Sequence, residues 1–316
     1  MLSMKECPIC GSESRQVDAR SAQGVREAYE TYYGQSYPGD DFYDYAQLRC
    51  SQCAFEFFDP MRPGSNAFYK WMTLQKGYYP SHRWEWPETL AMIKAGGGKT
   101  VLEVGCGAGD FMALACQQLP ANRIVGVDTT ATSVEKCRAR GLEVFCGDLD
   151  SFLESIKSTG ERFDVAVAFH CLEHVPDPKG FVRAMQRVLN AKGKIFLSTP
   201  YSPMSFEEAW FDPLNHPPHH LGRWNVKAYR ALAQAVGMEV SFHMAPPTRP
   251  RDSFILNIKL HYFGSSLRAN RWDVFGFILT HPLAAWRLWK QARRRAREQV
   301  EGMPLSDGVL VRLKMK

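Results

Sequence analysis

Four cysteines in two Cys-x-x-Cys pairs, Cys7-Pro-Ile-Cys10 and Cys50-Ser-Gln-Cys53, can each present two thiolates to one tetrahedral ion. Four thiolates close the coordination sphere of zinc, so the pattern predicts a structural metal site. A redox-active pair is the alternative reading. A second group, Gly105-Cys106-Gly107-Ala108-Gly109, follows the apolar run Val101 to Val104 and precedes a helical stretch, Phe111 to Leu119. A strand, a glycine turn and a helix N-terminus make a nucleotide-sized pocket whose amides are expected to face the ligand. Asp128 closes a second apolar run 23 residues after Gly105, where a carboxylate can hold ribose hydroxyls. A third group is the stiff loop Asp212-Pro-Leu-Asn215-His216-Pro-Pro-His219-His220, whose imidazoles can take a proton near neutral pH.

Positioning these groups requires a parallel sheet. Runs at 101–104, 124–127, 143–146, 163–170 and 195–199 read as strands, with helical periodicity between them. The glycine turn and Asp128 suit either a dinucleotide or a single nucleoside. Glu103 inside the first strand, and Gly147-Asp148 after the third, favour one nucleoside lying across three strand ends. Glu239 to Met244 reads as a sixth strand and Gly308 to Met315 as a delayed seventh.

In this order and spacing, Glu103 with the glycine turn, Asp128, Gly147-Asp148 and Leu172-Glu-His-Val-Pro-Asp177 resemble the class I S-adenosylmethionine-dependent methyltransferases over about residues 98 to 242. The Glu-His-Val-Pro-Asp run is similar to the branch that includes quinone O-methyltransferases. The resemblance implies a Rossmann-like seven-stranded α/β sheet, and a methyl donor held by Glu103, Gly105, Cys106, Gly107, Gly109, Asp128, Thr129, Gly147, Asp148, Leu149 and His170. Glu103 orders the turn or reaches the methionine amine, and Asp148 with Leu149 takes the adenine. His170 offers a backbone carbonyl. Cys106 reads as a small filler, because nothing nearby in sequence would lower its pKa. His174 is open between a backbone hydrogen bond and direct catalysis. A zinc ribbon ahead of such a core resembles a set of bacterial enzymes acting on sugar nucleotides, natural products and surface glycans, in which the ribbon helps form the acceptor side.

Methyl transfer by in-line displacement needs an oriented acceptor and often a base. His219 and His220 are the candidate bases, with Tyr79, Asn215, His216 and Trp224 as acceptor-orienting groups. The bland reading of the same loop is a cap on the following helix. Between the knuckles, Tyr29 to Tyr45 is dense in aromatics, as an adaptable surface or as packing for a small metal domain.

The chain divides into a zinc ribbon at 1–59, a linker and helical cover at 60–97, a methyltransferase core at 98–244 with 308–316, and a helical insertion at 245–307. The net charge of +6 is uneven: residues 249–316 carry 14 Lys/Arg against 5 Asp/Glu, leaving 25 against 28 before them. Within the insertion, Leu283, Trp286 and Trp289 share one helical face, and Arg287, Lys290, Arg293, Arg294, Arg295 and Arg297 crowd the rest. This arrangement suits peripheral membrane contact through 282–298, or packing on the body or a second subunit. Met1 to Arg20 lacks the order of a secretory signal, and nine cysteines, an odd number, fit a reducing compartment; a cytoplasmic location, at the inner face of the membrane, is expected. The acceptor is expected to be a small molecule or glycan. The expected reaction is methyl transfer to a hydroxyl, or a carbon, of such a small or carbohydrate-type acceptor, nucleotide-linked or lipid-linked; an RNA methyltransferase using the zinc ribbon and basic helix is an alternative. Phe169-His-Cys-Leu172 lacks the Asn/Asp-Pro-Pro-aromatic run of base-amine methylation, which argues against nucleic acid. A non-catalytic binding module is the remaining alternative.

Overall fold

The structure is a computed structural model and describes residues 5–75, 78, 82–207, 210–264 and 269–316. Strands β1 (Lys5–Glu6), β2 (Glu13–Arg20), β3 (Tyr45–Cys50) and β4 (Glu56–Asp59) pair antiparallel in chain order. Helix α1 (Ala22–Tyr33) starts at Ser21, whose hydroxyl accepts from the Gly24 amide, and stops at Gly34 in the left-handed region. Helices α2 (Asn66–Thr73) and α3 (Glu85–Gly96) follow. The aromatic stretch is ordered packing: helical spacing puts Val25 and Tyr29 on one face, where they are buried with Tyr37, Phe42, Tyr45, Phe58, Phe68 and Met72.

The core runs β5 (Thr100–Val104), α4 (Asp110–Gln118), β6 (Arg123–Asp128), α5 (Ala131–Ala139), β7 (Glu143–Cys146), α6 (Leu149–Ser155), β8 (Phe163–Phe169), α7 (Pro178–Arg187) and β9 (Leu189–Pro200). Strand β10 (Gly222–Arg223) leaves this core to pair with β4, so the ribbon sheet takes its fifth strand from beyond residue 59. Next come α8 (Val226–Ala235), β11 (Met238–Met244), α9 (Pro250–Phe263), α10 (Arg271–Thr280), α11 (Pro282–Arg295), β12 (Gln299–Val300), β13 (Met303–Pro304) and β14 (Gly308–Met315).

The main sheet has the order β11-β14-β9-β8-β5-β6-β7, with β14 antiparallel to both neighbours and β9 to β7 parallel. Its two-residue period sorts the side chains. Val101, Ile124, Val165, Val167 and Phe196 meet α3 and α4 on one face. Leu102, Val125, Val127, Ala166, Ile195 and Leu197 meet α6, α7 and α8 on the other. Both faces are covered, which is why these strands read as unbroken apolar runs. The seven-stranded sheet and the helical insertion before β14 are those the sequence implies.

Within the insertion, α11 turns Ala285, Leu288 and Ala292 inward, while Leu283 and Trp286 stay exposed. The tryptophan face is therefore not the packing face. Among the described residues no helix is long and apolar enough to cross a membrane.

Candidate active site and metal centre

The ribbon brings Cys7, Cys10, Cys50 and Cys53 to one point. Their sulfurs lie 3.4 Å (Cys10–Cys50), 3.6 Å (Cys10–Cys53) and 3.7 Å (Cys7–Cys53) apart, with all four thiols free. A tetrahedral zinc with bonds of about 2.3 Å spaces its sulfurs by about 3.8 Å, so the donor set fits a structural zinc. Each knuckle turns on a residue with positive φ after its second cysteine, Gly11 and Ala54. The Cys53 amide donates to the Cys50 sulfur. The hydrogen bond with Cys53 lowers Cys7 to about 5 and, with burial, pushes Cys53 up; a cation would hold all four as thiolates.

At the C-terminal edge of β5, Gly105, Gly107 and Gly109 all have positive φ. A Cβ at Gly105 would lie 2.3 Å from the Cys171 sulfur and would strain a residue with φ of 74°, so glycine suits the point where the turn meets the segment after β8. The expectation that the turn's amides face the ligand needs correction. Those of Gly105 and Cys106 donate to the Val127 carbonyl, Gly109 to Cys106, and Gly107 to an Asp128 carboxylate oxygen at 2.8 Å. The loop curls so tightly against β6 that these four donors are used internally. The other Asp128 oxygen accepts from Thr130 at 2.8 Å, so this carboxylate ties the turn to the start of α5.

Glu103 is fully buried and one of its oxygens has no partner. Burial, with repulsion from Asp128 and Asp110, pushes it well above the usual carboxylate range. An orphaned buried carboxyl beside the glycine turn is the partner that the amine of a methionine moiety requires. Arg83 lines the same small cavity, with Cys106 and Phe169. The Cys106 thiol is pushed up by burial, consistent with a filler. These features fit S-adenosylmethionine.

His170 ends β8 with φ of 52°, a strained conformation for a non-glycine residue. Its Nε2 lies 3.1 Å from Glu85 and its Nδ1 3.3 Å from Glu173. Burial opposes its charged form, but the hydrogen bonds to Glu173 and Glu85 raise its pKa above the ordinary imidazole value. Glu85 lies below the ordinary carboxylate value, because His170 and Arg83 outweigh its burial.

One cavity of about 1130 Å³ runs from Gly105, Gly107, Asp128 and Thr129 past His170 and Cys171 to His174, His219 and His220. That volume exceeds the usual range for one small ligand, so donor and acceptor fit together. Tyr32, Tyr33 and Tyr69 line its far wall, which is how the ribbon and cover helices reach the site. His174, His219 and His220 converge, with ring centroids 4.6, 4.6 and 4.8 Å apart. His174 makes the backbone bond that was one of its two readings, its Nδ1 lying 2.6 Å from the His219 carbonyl. Burial holds His219 and His220 well below the usual imidazole pKa, so both are neutral at physiological pH.

Other sequence assignments change place. Trp224 is fully buried between Phe55 and Tyr229, and His216 is buried against Tyr45, Phe58 and Phe211; neither lines the cavity. Both fasten the loop to the ribbon and its adjoining helix instead of orienting an acceptor. Asn215 is buried too, and acts through His220, whose Nδ1 lies 3.0 Å from its Oδ1. Gly109, Gly147, Asp148 and Leu149 lie outside the cavity lining, and Asp148 caps α6 through the Ser151 amide. Tyr79 falls outside the described residues. Sequence reasoning missed Glu85, Glu173, Tyr69 and Asp212. Asp212 lines the cavity, and burial raises it to about 7. Contacts spanning 85 residues, as from Glu85 to His170, leave no local signal.

Burial keeps His216, His219 and His220 neutral in the native state. Their folded pKa values lie below the unfolded value of about 6.5, so the native state is fully favoured above that pH and loses stability as pH falls below it. The slope is up to about 1.4 kcal/mol per pH unit for each histidine. Urea midpoints should fall between about pH 6.5 and 5, and His216→Phe should flatten that fall. Midpoints that do not change over this range would contradict the assignment.

A model of a methyltransferase domain matches residues 83–241, half of the chain, and the chain belongs to that family. Its sheet order and glycine turn are those of the class I S-adenosylmethionine-dependent fold. The ubiquinone biosynthesis O-methyltransferase of Paracidovorax citrulli is 31% identical over 144 residues, 43% of this chain and 58% of the relative. That of Idiomarina loihiensis is 38% identical over 106 residues, 32% of this chain and 42% of the relative. The chain thus spans about half the length of these curated relatives, and the match lies outside their other parts. A solved S-adenosylmethionine-dependent methyltransferase from Archaeoglobus fulgidus aligns at 14% identity with a TM-score of 0.45, covering 72% of this chain and 94% of that one.

Proposed function

We propose that the protein transfers the methyl group of S-adenosylmethionine to a hydroxyl oxygen of a small, polyhydroxylated acceptor of the carbohydrate or quinol type. The observation that carries this reading is the single cavity joining the Asp128 and glycine-turn end to three converging imidazoles. S-adenosylmethionine supplies a methyl group on a positively charged sulfur. Asp128 and Thr129 would hold the ribose, Glu103 would take the amine, and Arg83 would face the carboxylate. The His170 carbonyl lies beside the amine. Tyr32, Tyr33 and Tyr69 hold the acceptor ring, while His219 and His220 draw the proton from its hydroxyl. In this reading Tyr32, Tyr33 and Tyr69 with His174, His219 and His220 form the acceptor side, and Arg83 with the glycine turn, Asp128 and Thr129 the donor side.

Residues 245–307 present the complex to an anionic membrane surface. Trp272, Phe275, Leu279, Leu283 and Trp286 are all more than half exposed, beside Arg287, Lys290, Arg293 and Arg294. A groove of about 800 Å³ lined by Trp286, Trp289, Lys290, Arg293, Arg294 and Arg297 offers cations to a head group. Incubation with methyl-labelled donor and a panel of catechols, quinols and glycosides, free or carried on anionic vesicles, tests both statements. Labelled ether product, faster on vesicles, is expected. No product from any hydroxylated acceptor would overturn the transfer reading, and product formation indifferent to vesicles that also fail to retain the protein would overturn the membrane reading.

A further inference from the structure

We propose that His174, His219 and His220 bind a divalent transition-metal ion whose remaining positions are taken by neighbouring oxygens of a diol or catechol acceptor. The inference rests on the methyl-transfer reading for the acceptor but not for the ion. One ring nitrogen from each of the three histidines lies within 4.8 Å of the others. The hydrogen bonds identify which nitrogen. His174 Nδ1 faces the His219 carbonyl at 2.6 Å, His219 Nδ1 the Leu214 carbonyl at 2.9 Å, and His220 Nδ1 the Asn215 Oδ1 at 3.0 Å. A carbonyl oxygen only accepts, so each Nδ1 must carry the ring proton. The Asn215 amide is oriented by its own nitrogen, which donates to the Glu207 carboxylate and to the Ser202 hydroxyl, leaving its oxygen for His220.

With the proton on Nδ1, each Nε2 carries a lone pair that a ligand can use. Lone pairs gathered in this way repel one another, and the Tyr78 hydroxyl reaches His219 Nε2 only at 3.4 Å. Imidazoles whose Nδ1–H groups are held by carbonyls, with Nε2 left for the ligand, are the arrangement that metal-binding histidines use. An ion central to nitrogens this far apart lies at most about 2.8 Å from each, and small ring movements reach the usual 2.0–2.1 Å or so. Imidazole donors select zinc, iron, cobalt, nickel or copper over magnesium or calcium.

The site also differs in kind from the ribbon. Four cysteines seal their ion, whereas three histidines lining an open cavity leave positions for substrate oxygens. An acceptor hydroxyl on the ion loses its proton to water. Its oxygen then forms a bond to the methyl carbon as the carbon–sulfur bond breaks, and the sulfur keeps that electron pair as a neutral thioether. With the ion bound, the imidazoles act on the hydroxyl through it, and this replaces the direct proton transfer to His219 or His220 of the metal-free reading.

The test titrates cobalt(II) into full-length protein whose ribbon is already loaded with zinc, without methyl donor or acceptor. One further cobalt per chain is expected, with visible d–d absorption and no thiolate charge-transfer band. His174→Ala and His220→Ala should each weaken cobalt binding by about tenfold to a hundredfold, and Asn215→Ala by about tenfold. Unchanged calorimetric affinity for S-adenosylmethionine shows that the variants are folded. Wild-type protein that takes up no second ion, or variants that bind cobalt as tightly as wild type, would overturn the site while leaving methyl transfer standing. Cobalt binding without labelled product from any acceptor would instead overturn the transfer reading.

Discussion

Cys50→Ser protein should emerge without its zinc, with a lower melting temperature and with little methyl transfer, although its glycine turn lies in another sheet. Zinc bound by a small cysteine site contributes about 10–16 kcal/mol in isolated peptides, against a total stability of about 5–15 kcal/mol for a typical domain. The damage should spread because the histidine loop leans on the ribbon. Strand β10 pairs with β4, Asn225 donates to the carbonyl of knuckle residue Ala54, Tyr45 bonds His216, and Phe55 packs on Trp224. Metal analysis, thermal unfolding and product formation on one preparation check this result. A metal-free variant that melts with wild type and turns over normally would remove the structural zinc.

Asp128→Ala should lower the affinity for S-adenosylmethionine by about a hundredfold or more while the sheet stays folded. The carboxylate accepts from the Gly107 and Thr130 amides, one from each oxygen, and each hydrogen bond to a charged group contributes about 1.5–3 kcal/mol. Its removal frees the turn and takes away the group proposed to hold the ribose. Asp128→Asn, which keeps one acceptor oxygen, should fall between the two. Calorimetric titration reads the change, and an affinity within about threefold of wild type would mean that the ribose lies elsewhere.

How far the sequence was legible depends on whether a residue sits in regular structure. Val101 to Asp128 declared itself because parallel strands covered on both faces must be apolar, and because turns with positive φ favour glycine. The four cysteines were equally plain, since thiolate spacing is local. The loop at 212–225 was half legible. Its histidines announced a polar, chemistry-bearing segment, yet no period exists outside helices and strands to say which ring faces the cavity. His216 turned to the ribbon, while His219 and His220, across Pro217 and Pro218, turned to the site. Trp224 looked like an acceptor platform because a tryptophan beside polar residues reads as exposed; the pairing of β10 with β4 buries it. His174 and Glu85 gain their roles only when segments 45 and 85 residues away fold beside them.

The short pairing of β10 with the ribbon also governs how such proteins can be recombined. Arg223, within that strand, reaches Glu56 at 3.2 Å on one side and Glu207 at 2.6 Å on the other, and is buried between them. A ribbon grafted from a relative at residue 59 would replace Glu56, one of the two partners of this guanidinium, and would have to supply a β4 that matches the recipient's β10. A chimera is expected to fold as well as its parents only when β4 and β10 come from the same parent, and thermal unfolding of the chimera checks this.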